Sequence, residues 1–392
     1  MRKTKDWKDE RIQVKDYILE VSRGIPTGRY PMNGIFEWDQ AKALAAAGQK
    51  VIFASIDTRS LRRWRKWGIC RYEREGIAVY EINLPIGAVS INSQARAAAF
   101  AYKILYSKIK SENGRPAVVH AHFARPIGYA AAKLKEREGY KLVVTEHESS
   151  FLSGELPDCF ARQYHYTFHT ADKIIAVSHA LQEALARRFG IEAATIHNVV
   201  DIDSFGKRRR EKKRGHFSLI AVGMLIPRKG YSTLIQAVSQ SEHRREIQLQ
   251  IFGEGEERGR LTAEIKKLEL EENIELMGLR ERDEIGRAMA AADFFVLASL
   301  GETFGVAYIE AMAAGVPVIG TKCGGPEDFI TPDVGILIEA GNAERLAEAL
   351  DYMCGNCHKY DRNHIAAVAY ERFSPSAVAA RLISEFGINR TV

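Results

Sequence analysis

The sequence predicts an α/β protein with two doubly wound domains, because it contains two separate series of alternating strands and helices and is long enough for both. Its 392 residues exceed the size of a typical single domain and fit two. Apolar residues make up 46% of the chain and charged residues 27%, which allows a buried core and excludes a disordered protein.

The first series predicts a domain over residues 15–205. Short apolar runs predict strands at residues 17–22, 51–55, 77–82, 117–120, 141–145, 173–177 and 194–197. Helical periodicity lies between several of them, at residues 36–47, 95–109 and 127–137. The first of these helices ends at Gly48, a residue that favours helix C-termini. Such alternation is typical of a parallel sheet with helices on both faces.

A basic stretch at residues 206–215 interrupts this pattern. It could be a nucleic-acid patch, but it falls where one α/β unit ends and another begins, which favours a solvated linker. A second domain then extends over residues 216–371. Its strands are predicted at residues 217–222, 247–252, 274–277, 294–297 and 318–320. Ligands of such sheets bind at the carboxyl ends of the strands, so the two domains imply a cleft between them.

The charge and the flanking segments limit the class of protein. The formal net charge is +6 with a pI near 8.9, which suits an anionic substrate or a membrane surface and is too weak to indicate nucleic acid. No run approaches the roughly 18 apolar residues of a membrane span. The N-terminus has no apolar core for a signal peptide. We therefore expect a cytoplasmic protein.

The five cysteines are odd in number and scattered, which indicates a reducing compartment. Cys354, Cys357 and His358 match the haem-attachment pattern C-x-x-C-H, but that use would require export. The two cysteines follow a helical run at residues 343–353. The sequence therefore favours surface cysteines at a helix end over redox or zinc use, since no second pair of ligands accompanies them.

Two glutamates with seven residues between them, Glu302 and Glu310, are the most informative feature. The apolar run at residues 293–299 predicts a buried strand, and residues 305–314 predict a helix that stops at Gly315. A helix N-terminus attracts phosphate through unpaired N–H groups and the helix dipole. Two carboxylates beside it could accept hydrogen bonds from sugar hydroxyls, which indicates a nucleotide-sugar site. The alternative is that both are ordinary solvated charges.

This block resembles the E-x7-E region of retaining glycosyltransferases, in particular family 4 with the GT-B fold. The resemblance implies two Rossmann-like domains facing across a cleft, the first binding the acceptor and the second the donor. It also implies that the last helix, predicted at residues 376–386, crosses back, so that residues 372–392 pack on the first domain. The implied activity moves a hexosyl group from a UDP- or GDP-type sugar to an acceptor hydroxyl in cell-surface polysaccharide or glycolipid biosynthesis.

Adjacent cations, Arg228 and Lys229, follow the first strand of the second domain. Cleavage of the bond from sugar to phosphate builds charge on the leaving diphosphate, and preorganised cations can stabilise it in place of a metal. The resemblance makes both residues catalytic, assigns Glu302 to the transferred sugar and Glu310 to the ribose. The donor-binding set that it implies is Gly34, Gly223, Gly253, Gly278, Phe304, Gly305, Val306 and Glu310.

On the acceptor side, His122 ends a strand in the sequence His-Ala-His, and His147 follows the next strand. The resemblance makes His122 catalytic and His147 acceptor-binding, although a histidine at a strand end is more often structural. Asp201 and Asp203 match the D-x-D metal motif of another glycosyltransferase fold, and in this context they are interpreted as a structural turn. We expect no metal and no cofactor other than the donor itself.

Residues 59–67 alternate tryptophans with cations in a helical pattern, with Leu61, Trp64 and Trp67 on one side. This is typical of an interfacial helix on anionic lipid, and it would imply a lipid-linked acceptor at the inner face of the membrane. An ordinary surface helix is an equal alternative, and the arginines could also bind an anionic soluble acceptor.

No side chain is an obvious nucleophile on the far face of the sugar, so front-face displacement is favoured, with the departing phosphate helping to take the acceptor proton. Two other functions stay open at this point. A nucleotide-sugar epimerase shares the fold, and a non-catalytic sugar-nucleotide-binding subunit would keep only the binding residues.

Overall fold

The protein contains two mainly parallel sheets, one in each half of the chain, in a computed structural model. The structure describes residues 17–30, 32–58, 67–84, 86, 90–154, 158–202, 205 and 215–388. Both sheets are covered by helices, and the paired-domain GT-B architecture predicted from the sequence is confirmed.

The first sheet contains eight strands in the order β3-β4-β2-β1-β5-β6-β7-β8. The strands are β1 Ile18–Ser22, β2 Val51–Asp57, β3 Gly68–Arg74, β4 Ile77–Asn83, β5 Val118–His122, β6 Lys141–Glu146, β7 Lys173–Ala176 and β8 Ala194–Thr195. All neighbours are parallel except β3 and β4. The helices are α1 Ile35–Ala46, α2 Ile91–Asn113, α3 Tyr129–Glu138, α4 Ser150–Ser153, α5 Ala161–Thr170 and α6 His179–Phe189. The near-continuous apolar strands β1, β2 and β5 are buried on both faces, as expected for parallel sheet.

The second sheet contains six parallel strands in the order β11-β10-β9-β12-β13-β14. They are β9 Phe217–Val222, β10 Ile247–Phe252, β11 Ile274–Gly278, β12 Phe294–Val296, β13 Val318–Lys322 and β14 Gly335–Glu339. The helices are α7 Tyr231–Gln240, α8 Arg258–Lys267, α9 Arg282–Ala291, α10 Val306–Ala313, α11 Ala343–Asn356, α12 Arg362–Phe373 and α13 Pro375–Phe386. The order reverses direction beside β9, which is where an open α/β sheet places its ligand crevice.

Helix α13 belongs to the core of the first domain although it follows the second. Val378, Leu382 and Phe386 are buried in one apolar cluster with Trp38 and Leu44 of α1. The helix begins at Ser374, whose hydroxyl caps it by accepting from the Ala377 N–H, with Pro375 at its first position. The predicted return of the C-terminal helix to the first domain is confirmed.

Strand β14 is absent from the sequence-based prediction, and so is the edge strand β3. Strand β3 is antiparallel to β4, mostly exposed, and rich in charged residues, so it gives no apolar run. Glu75 and Gly76 join the two strands, and both have positive φ angles of 52° and 76°. A two-residue turn of this kind is the signal that could have revealed the hairpin. Helix α2 is also longer than predicted, because Ser90 caps its start.

The expectation that Cys354 and Cys357 lie on the surface is wrong. Their exposed fractions are 4% and 8%, and both belong to the main apolar core. Cys354 lies on the inward face of α11 together with Leu350 and Met353, which are fully buried. Free cysteine packs as a small apolar side chain, which explains the pair without redox or metal chemistry.

Three of the sequence-based expectations fall on residues outside the described ranges. These are most of the basic linker at residues 206–214, the cationic part of the interfacial helix at residues 59–66, and Asp203. Among the described helices, none combines the length and the apolar character that a bilayer span requires.

Candidate functional site

Three loops at the carboxyl ends of β9, β10 and β12 form a surface that we call the second-domain edge. The loops are residues 223–230, 253–257 and 297–305. The glycines of this edge allow the loops to touch. Gly253 has a φ of 144°, and a Cβ atom there would lie 1.9 Å from the carbonyl oxygen of Gly223. Gly278 lies at the end of β11, where its carbonyl accepts the N–H of Gly253. These predicted donor-binding glycines are therefore needed to pack the edge, whatever else they contact.

Lys229 and Glu302 meet on this edge. The Lys229 Nζ atom lies 2.5 Å from Glu302 Oε1, and the same oxygen accepts the Ser299 hydroxyl at 2.8 Å. Both charged side chains are largely buried. Within the described part of the chain, Arg228 has no carboxylate partner, and its backbone carbonyl accepts the Leu300 N–H at 2.8 Å. Lys229 is thus neutralised by Glu302, whereas no described carboxylate neutralises Arg228.

The N-terminus of α10 lies directly after Glu302. Gly305 caps the helix with a φ of 98°, where a non-glycine residue would be strained. No acceptor among the described residues takes the N–H groups of Gly305 or Val306, so this helix end can bind an anion. The Phe304 side chain points elsewhere: it is 2% exposed and packs on His197 and Phe373. Only its backbone can serve a ligand.

Glu310 lies one turn further along α10. Burial raises the pKa of Glu310 to about 7, and the Arg282 guanidinium 3.0 Å away acts in the opposite direction. Asp39 of α1 and Asp201, both from the first domain, also act electrostatically on this carboxyl. Asp201 lies 3.9 Å from Arg282. A carboxyl with a pKa near neutrality at a domain boundary is typical of a functional site.

Gly34 starts α1 with a φ of 71°, and a Cβ atom there would lie 2.3 Å from the carbonyl oxygen of Gly24. The close approach of these two loop residues demands a glycine. Helix α1 reaches the domain boundary through Asp39, which places its start on the same side of the molecule as Glu310.

Three loops at the carboxyl ends of β1, β5 and β6 form a surface that we call the first-domain edge. The loops are residues 23–30, 123–128 and 147–149. A buried carboxylate, Glu20, lies beneath this edge in the middle of β1. It contacts Nδ1 of His120 at 3.0 Å and Nε2 of His122 at 2.8 Å. Burial acts to raise the pKa of Glu20, but the two imidazoles outweigh it and lower that pKa to about 2. Glu20 is therefore an ionised carboxylate, which can only accept hydrogen bonds.

Both ring nitrogens of His122 are engaged. Nε2 contacts Glu20, and Nδ1 lies 3.2 Å from Nε2 of His147. When both rings are neutral, His122 donates to Glu20 and accepts from His147, which leaves Nδ1 of His147 as a lone pair. That Nδ1 atom is buried and makes no hydrogen bond of ordinary geometry within the described part of the protein, and the Asn198 side chain is a polar neighbour of the ring. Burial, followed by the neighbouring His122, holds the pKa of His147 well below its usual range.

The two edges face each other through direct contacts. His197 from the first domain contacts Asp328 Oδ2 at 3.1 Å and stacks on Phe304 with ring centroids 5.4 Å apart. Gly324, which pairs with Glu302 in a parallel bridge, approaches Leu152 of α4 so closely that a Cβ atom would lie 2.9 Å from it. Two groups among the described residues could supply three metal ligands each: Glu20 with His120 and His122, and His179 with His197 and Asp328.

Sequence reasoning missed several residues of this site. Glu20 gave a signal, since a charged residue inside an apolar parallel strand requires a buried partner. Arg282, Asp39, His197 and Asp328 gave none, because each is an ordinary helix or loop residue until the two domains are brought together. Among the predicted residues, the structure joins Lys229 to Glu302 and His122 to His147.

Family models match two consecutive parts of the chain. The model described as Glycosyltransferase Family 4 matches residues 38–204, and the model described as Glycosyl transferases group 1 matches residues 204–369. The chain is 27% identical over 356 residues to the putative teichuronic acid biosynthesis glycosyltransferase TuaC of Bacillus subtilis. The matched region covers 85% of this chain and 88% of TuaC.

Solved structures share the whole architecture. Sucrose-phosphate synthase from Thermosynechococcus elongatus superposes with a TM-score of 0.76 at 19% identity, over 95% of this chain and 98% of that one. HepE of Anabaena, solved in complex with UDP, superposes with a TM-score of 0.70 at 18% identity, over 95% and 99%. Similarity at this level of identity supports the fold.

Proposed function

This chain belongs to the family 4 glycosyltransferases of the GT-B fold, and from that premise we propose that it transfers a hexosyl group from a nucleoside-diphosphate sugar to an acceptor hydroxyl, with retention of the anomeric configuration. The second domain binds the donor and the first domain the acceptor. No observation favours an epimerase or a non-catalytic subunit over transfer.

Support comes from the second-domain edge. Lys229 contacts Glu302, and Arg228 precedes it in the same loop. Among the described residues, Arg228 has no carboxylate partner, and the N–H groups at the start of α10, just after Glu302, have no acceptor. This arrangement suits a leaving diphosphate, whose negative charge grows as the glycosidic bond breaks. Cations fixed by protein contacts do the work that a metal does elsewhere, so transfer proceeds without a metal ion or an additional cofactor.

Glu302 then holds hydroxyls of the transferred sugar and Glu310 holds the ribose. On the opposite edge, His147 helps to bind the acceptor, and Glu20 and His122 fix the tautomer of its ring. The departing phosphate takes the acceptor proton on the same face of the sugar, which preserves the configuration.

The acceptor is a saccharide or a lipid-linked saccharide in a cell-surface polysaccharide or glycolipid pathway, as the name of TuaC suggests for that relative. The donor nucleotide is UDP or GDP. The protein works at the cytoplasmic face of the membrane, which it contacts through residues 59–67. Trp67, the described end of that segment, is 59% exposed and available for an interface.

A donor panel tests this function. UDP-, GDP-, ADP- and TDP-sugars are screened for a rise in melting temperature, because ligands of the native state stabilise it. The stabilising donor is then incubated with saccharide acceptors, and the anomeric configuration of the product is read by NMR. We expect a retained configuration and undiminished turnover in EDTA. An inverted product, or complete loss with chelator that added metal restores, would contradict the proposal.

A further inference from the structure

Asp328 links the two domains through two histidines. It ends the short turn Gly325–Asp328 of the second domain, and its side chain is 5% exposed. From the first domain, His197 contacts its Oδ2 atom through Nε2 at 3.1 Å, and His179 contacts its Oδ1 atom through Nδ1, also at 3.1 Å. The backbone N–H of His179 donates to the same carboxylate at 2.9 Å. One buried carboxylate thus gathers two imidazole nitrogens from the opposite domain.

These side chains have the composition of a site for a transition-metal ion. Neutral imidazole and carboxylate groups are ordinary ligands of Zn²⁺. The three ligand atoms lie within 4.8 Å of one another. Metal–ligand bonds of about 2.0–2.2 Å require slightly shorter separations. His179 can make that adjustment and admit an ion, because its side chain is 61% exposed, whereas the side chain of His197 is 3% exposed and held in place.

His197 and Asp328 are in the protonation states that a metal requires. Burial lowers the pKa of His197, which leaves its ring neutral at pH 7. Burial acts to raise the pKa of Asp328, but hydrogen bonds from His197 and His179 outweigh it and lower that pKa, so the carboxylate is ionised. Arg372 donates to the backbone carbonyl of Asp328 at 2.8 Å and leaves the carboxylate oxygens to the histidines.

A hydrogen-bonded contact without a metal is the alternative use of these residues. The exposed His179 adds little to such a contact, because surface ion pairs contribute little to stability. Metal binding at Nε2 of His197 moves the ring proton to Nδ1, which is buried and makes no hydrogen bond of ordinary geometry within the described residues. An unsatisfied donor of this kind typically weakens binding by roughly ten- to hundredfold. We therefore expect reversible binding, in contrast to a permanent structural zinc site.

We propose that His179, His197 and Asp328 form a reversible site for Zn²⁺ or a similar transition-metal ion, which cross-links the two domains. Gly324, just before the turn, pairs with Glu302 of the second-domain edge, so the ion fixes this edge relative to the first domain. Release of products from a cleft between domains requires the domains to separate, and the bound ion therefore slows transfer. The ion takes no part in the chemical step, and only the slowing of transfer rests on the proposed function.

Competition for Zn²⁺ against a chromophoric chelator tests the site at pH 7. The background protein is His165→Gln/His169→Gln, because these two exposed histidines stack on α5 with ring centroids 3.9 Å apart and offer a second chelate. We expect this background protein to bind Zn²⁺. Adding His179→Gln or Asp328→Asn should weaken the binding at least about tenfold, since even partners that only orient a ligand are typically worth about 10–100-fold in metal affinity.

His364→Gln is the matched control. His364 forms an exposed pair with Asp333 at 2.6 Å, and among the described residues no third ligand lies beside this pair. The control should bind Zn²⁺ as the background protein does. No binding to the background protein would overturn the proposal, as would unchanged affinity after the His179 or Asp328 change, or an equal loss in the control. Because His179 is exposed, its variant should fold normally even where Asp328→Asn does not, and circular dichroism verifies this.

Transfer assays examine the cross-link between the domains. Zn²⁺ should lower the turnover of the background protein relative to its own rate in EDTA, and it should affect the variant with His179→Gln much less. No inhibition of the background protein, or equal inhibition of both proteins, would overturn the cross-link. The proposed function fails separately, because it requires donor-induced stabilisation of the wild type, which is measured in EDTA.

Discussion

The two edges of the cleft differ in how their buried charged groups are paired. On the second-domain edge, Lys229 pairs with Glu302 at 2.5 Å, whereas Arg228 has no carboxylate partner and the first N–H groups of α10 have no acceptor among the described residues. On the first-domain edge, one carboxylate, Glu20, holds two histidines in a chain that ends in a lone pair. The first arrangement is a set of donors for a growing negative charge. The second is a set of acceptors that fixes a tautomer.

This difference explains how each edge can be damaged. Loss of a donor on the second-domain edge removes stabilisation that is needed only when the leaving group forms, so the effect falls on turnover. Loss of Glu20 on the first-domain edge leaves buried imidazoles without their shared acceptor, so the effect falls on folding as well. Four experiments separate the two edges.

The largest effect is expected for Arg228→Ala/Lys229→Ala. Each preorganised group that stabilises developing charge typically contributes about 10²–10³ in kcat, so the double variant should lose at least that much. Steady-state transfer with the donor found in the panel measures it. The matched control is Arg345→Ala/Lys322→Ala, two exposed cations on α11 and β13 that pair with Glu348 and Glu339. Near-normal turnover of the active-site variant would show that this edge does not hold the diphosphate.

The two glutamates should differ from each other. Glu302→Ala should reduce kcat by about 10²–10³ while the bare nucleoside diphosphate binds at least as well as to the wild type, because Glu302 contacts the sugar and its loss frees Lys229. Glu310→Ala should weaken the binding of the nucleoside diphosphate itself. Calorimetry with the bare nucleotide, beside kinetics, separates the two roles. If both variants bound the nucleotide equally well, the assignment of Glu310 to the ribose would be wrong.

The sequence predicted the two edges unequally for a physical reason. The second-domain edge is encoded locally: Glu302, the start of α10 and Glu310 lie within one strand-to-helix connection, so spacing alone brings them together. The first-domain edge joins Glu20 to His120 and His122 across 100 and 102 residues of sequence. No local pattern connects such residues, and only parallel pairing of β1 with β5 makes them neighbours.

The errors in the fold have the same origin. Buried strands such as β2 were predicted because both of their faces are apolar. Strand β3 lies exposed at the sheet edge, so its charged residues carry no such pattern. Cys354 and Cys357 were expected on the surface because helix ends usually are exposed, whereas packing of α11 on the sheet buries them. Tertiary contacts decide these elements, and local sequence does not contain them.

A smaller effect, on stability, is expected from Glu20→Gln. The pKa of Glu20 falls from an ordinary value of 4.5 to about 2, which corresponds to about 3 kcal/mol of stabilisation. Because the folded state binds the proton less tightly than the unfolded state, this stabilisation is present above pH 4.5. It is lost as the pH falls from 4.5 towards 2. Urea denaturation at pH 7 and at pH 3 should therefore show a gap between wild type and variant that narrows in acid. Glu183→Gln, at an exposed position, is the control.

The smallest effect concerns the pH dependence of nucleotide binding through Glu310. Its pKa of about 7 means that the carboxyl is mostly protonated at pH 6 and mostly ionised at pH 8. An ionised carboxylate accepts from both ribose hydroxyls, whereas the protonated group accepts less well. The affinity of wild type relative to Glu310→Gln should therefore rise from pH 6 to pH 8, by at most roughly tenfold, the change in the ionised fraction.

The nucleotide phosphates also titrate in this range, and this affects binding to both proteins equally. Dividing the affinity of the wild type by that of Glu310→Gln at each pH therefore removes this contribution. Glu348→Gln, an exposed change on α11, should follow the wild type at every pH. Arg282→Gln removes the neighbouring cation that favours the ionised form, so it should move the rise to higher pH. A ratio that stays constant from pH 6 to pH 8 would mean that the Glu310 carboxyl does not contact the nucleotide.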